Sequence, residues 1–218
     1  MKTILLTMTL VIGFSFSAWG GACLNQDLNV YDASGFSCTI GDLTFSNFAY
    51  TPTEIGGALV PPDTSVMVNP ITGPEAGLEF AAGWLATNGQ LEDSLIKYTV
   101  TCSDCTIDDW VLQIAGAGGT GDGLVNVAET SPEVAIGLTQ TEIGGVISGN
   151  GSGTFTPVTS LSVAKDILVY GGGVPSTSTQ VSSVTNLFST ASTPEPSLLI
   201  LCTGLLGLVP VARRKFVR

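Results

Sequence analysis

The chain has 218 residues, a formal net charge of −11 and no histidine. Charged residues make up 11% of it, hydrophobic residues 44%, and 27 positions are glycine. Such an acidic chain repels nucleic acid and anionic lipid, so nucleic acid is not expected as a partner. Without imidazole it also lacks the commonest general base and a principal zinc ligand.

The first predicted element is a secretory signal peptide over residues 1–22. Lys2 precedes an apolar run from Ile4 to Phe16, and the small residues Ser17, Ala18, Gly20, Gly21 and Ala22 follow. This order places cleavage after Gly20 or Ala22 and makes the Sec machinery and signal peptidase partners in transit. Cys23 comes next, but Gly20 stands where a lipidated cysteine usually has leucine three residues upstream. Cys23 is therefore expected in a disulfide.

Residues 23–175 read as one all-β ectodomain, an antiparallel β-sandwich of jelly-roll or immunoglobulin type, with a closed barrel as the alternative. Strands are predicted at Leu43–Phe48, Ser65–Val68 and Leu78–Thr87. Between Ile96 and Cys102 the apolar positions Ile96, Tyr98, Val100 and Cys102 alternate with Lys97, Thr99 and Thr101, the clearest period of two in the chain. Trp110, Leu112 and Ile114 share a face of the next strand. Further strands are expected at 124–128, 134–139, 161–170 and, more weakly, 181–188. Glycine-rich breaks separate them at 116–123, 144–153 and 171–173.

Outside the two terminal signals the segment 21–193 holds two lysines, Lys97 and Lys165, against seventeen carboxylates. It is long enough for one domain with a proper core. Its four cysteines, Cys23, Cys38, Cys102 and Cys105, suggest two disulfides, with three connectivities open in principle. Neighbour pairing, Cys23 with Cys38 and Cys102 with Cys105, is the expected one. A redox role for the C-x-x-C is disfavoured because a strand, not a helix, follows it. Lys165 shares parity with Leu161, Val163, Ile167 and Val169. Pairing with a carboxylate inside is one reading of it, and a bulge or edge position reaching water is the favoured one.

Residues 176–193 are Ser/Thr-rich at eleven of eighteen positions and are expected to form a linker, although Leu187 and Phe188 suggest that a strand persists into its first half. Pro194-Glu195-Pro196 follows. An uncharged run, Ser197 to Ala212, then precedes Arg213-Arg214-Lys215. Sixteen residues at about 1.5 Å each would span roughly 24 Å, a marginal transmembrane helix whose basic stop stays cytoplasmic.

This three-part ending over residues 194–218 resembles the PEP-CTERM sorting signal of Gram-negative surface proteins. Residues Cys38 to Phe48, the Cys102-Ser103-Asp104-Cys105 turn and Ser160 to Ile167 are similar to blocks of a group of such proteins that carries no assigned activity. The resemblance implies passage through the inner membrane, recognition by an exosortase and delivery to the cell surface or beyond, with exopolysaccharide as a candidate partner. In that scheme the chain is a substrate of the sorting enzyme.

No catalytic set emerges from the residue pattern. A G-x-S-x-G elbow and a phosphate loop are both missing, and nothing selects a carboxylate pair for glycoside hydrolysis from the seventeen present. The expectation is a structural or adhesive protein and not an enzyme. A carbohydrate-binding module stacking sugars on Trp84, Trp110, Tyr50, Tyr98 and Tyr170 is the first alternative, and a glycan-active enzyme the second. Calcium is the one cofactor worth testing, since Asp104, Asp108 and Asp109 crowd the C-x-x-C turn while Asp122 and Glu129 flank a glycine loop.

Overall fold

The computed structural model describes residues 20–192. In chain order the elements begin with β1 (Gly21–Ala22), β2 (Gln26–Asp27), α1 (Leu28–Tyr31), β3 (Ser37–Ile40), β4 (Leu43–Ile55), β5 (Met67–Ile71) and β6 (Ala76–Thr87). They continue with β7 (Leu91–Cys102), β8 (Cys105–Ala115), β9 (Gly118–Gly119), β10 (Leu124–Thr130), β11 (Leu138–Ile143), β12 (Val146–Asn150), β13 (Ser152–Val158), β14 (Ser160–Tyr170) and β15 (Ser178–Ser192). The protein is all-β.

Two sheets form. The first runs β1-β3-β4-β7-β14-β10-β11-β12, and the second runs β13-β8-β15-β6-β5-β2 with β9 added beside β15. Every pairing is antiparallel except β1 with β3. One hydrophobic cluster joins inward residues of both sheets, including Phe45, Tyr98 and Ile167 of the first and Phe80, Trp84, Trp110 and Phe188 of the second. The period of two does this work. Along β7 and β14 every second side chain is buried, because successive residues of a strand point to opposite faces.

Turns hand the chain between the sheets. Asn88 and Gly89 both have positive φ, 38° and 71°, at the tight connection from β6 to β7. That conformation suits glycine, which has no Cβ, and is tolerated by asparagine. The next connection, from β7 back to the second sheet, is closed by the Cys102–Cys105 disulfide, whose Cα atoms lie 5.3 Å apart. Cys23 pairs with Cys38 across fifteen residues with Cα atoms 4.8 Å apart, tying the N-terminal arm to β3.

Several sequence expectations change. The strand expected weakly at 181–188 is present and longer, so most of the Ser/Thr-rich stretch is no linker: Ser178–Ser192 is the longest of the described strands, paired to β6 on one side and β8 on the other. Most of its hydroxyls lie on the outward face of a central strand, where β-branched threonine fits, while Val181, Val184 and Phe188 enter the core. The glycine-bearing segment 144–153 supplies β12 and the start of β13, and the strand expected at 134–139 lies at Leu138–Ile143. Gly21 and Ala22, assigned to the signal peptide, pair with Cys38 and Thr39. Among the described residues no helix is long and apolar enough to cross a membrane. The apolar runs at 4–16 and 197–212, Pro194, Glu195, Pro196, Arg213, Arg214 and Lys215 lie outside the described residues.

Candidate functional site

The most unusual chemistry in the fold is in its centre. Lys165 of β14 and Glu129 of β10 are direct partners in the antiparallel register, and both side chains are fully buried. Lys165 occupies an inward position because strand parity puts it there, between Val163 and Ile167. Its Nζ donates to Glu129 Oε1 in a short, charge-assisted contact. The expected bulge or edge position is therefore wrong for Lys165. A buried ammonium needs a buried acceptor, and the opposing strand carries one.

The second oxygen of Glu129 is also engaged. Asn186, inward from the middle of β15, donates its Nδ2 to Glu129 Oε2 at 2.5 Å. Its own Oδ1 accepts a hydrogen bond from the Tyr98 hydroxyl at 2.7 Å. Lys165 Nζ lies 5.8 Å from the centre of the Phe80 ring. Tyr98, Glu129 and Lys165 come from the first sheet and Asn186 and Phe80 from the second, so the set bridges the core. Burial pushes the Lys165 amine below its ordinary pKa, although Glu129 pulls it back up. Burial, and then the Glu129 charge, hold the Tyr98 phenol well above its usual value and keep it a donor.

Two further acids are perturbed, on opposite faces of β7. Glu92 is buried on β7 and its carboxyl is pushed up to about 7 by burial, against one lowering contact from the Leu85 backbone. Asp93 is likewise raised to about 7, by partial burial and by its neighbour Asp166.

The carboxylates considered for calcium do not converge. Glu129 is committed to the buried network, so it does not join Asp122 at the glycine loop. Asp122 instead accepts backbone N–H bonds from Gly173 at 3.0 Å and Val174 at 3.4 Å, with its pKa lowered first by the Gly173 bond. Among the described residues no group of three or more His, Cys, Asp and Glu side chains is placed to hold a metal ion.

The aromatic platform does not form either. Trp84, Trp110 and Tyr98 are buried in the core, while Tyr50 and Tyr170 are half-buried at separate places. Strand parity offered an inward Lys165 only as the less favoured reading, and which of seventeen carboxylates would meet it depends on the pairing of β10 with β14. Asn186 lies in the strand expected weakly at 181–188, but nothing in the sequence showed that it would meet Glu129 and Tyr98 across the core. No protein-family model and no curated protein matches this chain.

Proposed function

We propose that the chain is an exported cell-surface or extracellular protein, structural or adhesive in an exopolysaccharide matrix and sorted by an exosortase at Pro194-Glu195-Pro196. The observation that carries this reading is the pairing of the four cysteines among the described residues, 23 with 38 and 102 with 105. Disulfides persist in oxidising compartments and are rare where thiols are kept reduced. The acidic body, the signal-like N-terminus and the PEP-CTERM-like ending agree with that compartment. The facing sheets and the alternating hand-over between them favour a β-sandwich, of immunoglobulin or jelly-roll type, over a barrel.

Intact mass spectrometry of the surface fraction, from a cell carrying the sorting enzyme, tests the reading. Mature protein should begin near Gly21 and end between residues 193 and 196. Glu195→Ala should leave an uncut form in the inner membrane. Recovery of the full 197–218 segment in the surface fraction would reduce the ending to a plain anchor.

A further inference from the structure

We infer that Lys165 and Asn186 become joined by an intramolecular amide bond, with Glu129 as the proton carrier and Tyr98 as the oxyanion donor. The juxtaposition that points there is a primary amine and a carboxamide held on the two oxygens of one carboxylate, all fully buried. Each group has a role that its partners define. The amine is the nucleophile, the Asn186 carbonyl carbon the electrophile, and the Tyr98 hydroxyl already donates to the oxygen on which charge would develop.

A buried ion pair is a poor explanation for the set if nothing more happens. Desolvating a lysine and a glutamate together commonly costs as much as their attraction returns, and an apolar pair of similar volume would serve the core as well. Of the two lysines between residues 21 and 193, this one is completely buried. The low-dielectric surroundings that make the ion pair unprofitable also push the Lys165 amine down, toward its neutral and nucleophilic form. Orientation is supplied in advance by the ladders of β10, β14 and β15, so attack is intramolecular and its entropy cost is met by folding.

The step balances without an oxidant. Lys165 passes a proton to Glu129 and becomes a free amine, whose lone pair attacks Cγ of Asn186 to form the C–N bond. The tetrahedral oxyanion is held by the Tyr98 hydroxyl. Glu129 gives its proton to Nδ2 and takes one from the attacking nitrogen, the Cγ–Nδ2 bond breaks, and ammonia leaves. Lysine ammonium, carboxylate and carboxamide have become a secondary amide, a protonated Glu129 and neutral ammonia. The bond links β14 of the first sheet to β15 of the second.

The test is peptide mapping of the full-length protein, expressed with its export signals, then reduced, denatured and digested. A branched peptide joining the Lys165 and Asn186 segments is expected, lighter than the two together by one ammonia, about 17 mass units. Separate recovery of both peptides at their sequence masses overturns the inference. Loss of ammonia from the Asn186 peptide alone overturns it too, since that marks a succinimide. Glu129→Gln and Lys165→Met should both lack the branched peptide, with retained disulfides and near-ultraviolet circular dichroism reporting that they fold. Tyr98→Phe should form the same bond about a hundredfold more slowly in a pulse–chase, the loss expected for one oxyanion donor. An unchanged rate there would remove Tyr98 from the assignment, and a bond surviving in Glu129→Gln would remove Glu129.

Discussion

The indole Nε1 of Trp84 donates to the Ser94 hydroxyl at 3.1 Å, and the pair connects β6 of one sheet with β7 of the other inside the core. Ser94 Oγ is also 2.9 Å from the Tyr50 hydroxyl, which lies 2.6 Å from the carbonyl oxygen of Pro61. A phenol has one proton, and a carbonyl can only accept, so Tyr50 donates to Pro61 and Ser94 donates to Tyr50. Ser94→Ala strips the indole of its acceptor and should cost about 1–3 kcal/mol in urea denaturation. Tyr50→Phe removes a donor nearer the surface and should cost less.

The two disulfides should differ in weight. Cys23–Cys38 closes fifteen residues and, in the chain-entropy account, contributes about 3 kcal/mol, whereas Cys102–Cys105 closes three and mainly fixes the turn between sheets. Denaturation midpoints of Cys23→Ser/Cys38→Ser and Cys102→Ser/Cys105→Ser proteins, compared at equal slope, should rank the first pair well below the second.

Stability should be greatest in mildly acidic solution. Glu92 and Asp93 have folded values raised to about 7, so between about pH 4 and 7 the native state binds more protons than the unfolded chain. Their stabilising effect is complete below that window and is lost as pH rises through it. Glu133 opposes them at the acid end. Burial raises it, but hydrogen bonds from Ser131 and from the Ser162 amide and hydroxyl hold it at about 2. Its contribution is present above its ordinary value and lost as pH falls toward 2. Thermal melts should therefore peak near pH 4–5. Glu92→Gln should melt higher than the parent at pH 8 and show little difference at pH 4.

Gly77 sits on β6 where a Cβ would collide with the backbone carbonyl oxygen of Asn186 on β15. Gly77→Ala must push β15 away from β6, and should destabilise the fold by more than the roughly 1 kcal/mol typical of a point substitution. The same change at Gly83, whose Cβ would meet open space, should be close to neutral by the same urea assay.

Much of this architecture could be read from residue patterns, and the parts that could not share a cause. The alternation at Ile96 to Cys102 marked a strand that is present from Leu91 to Cys102, and neighbour pairing of the cysteines matches the geometry. Local signals sufficed there. Of the strand Ser178–Ser192 only 181–188 was legible, because serine and threonine are common to spacers and to strands, and only pairing with β6 and β8 decides between them. Glu129 misled: beside Asp122 in sequence it suggested a loop site, yet parity along β10 turns it inward to Lys165. Sequence neighbours of a strand residue are not its chemical neighbours.

The place of β15 governs how the fold would respond to force. It is the last described strand, and Pro194 follows Ser192 after a single residue, so any pull on the C-terminal tail enters through Ser192. Had the last described strand lain at a sheet edge, such a pull could unzip one ladder a hydrogen bond at a time. Here the loaded strand lies between β6 and β8, and sliding it along its axis must shear the bonds on both sides together. A domain built this way meets a tether with its strongest direction.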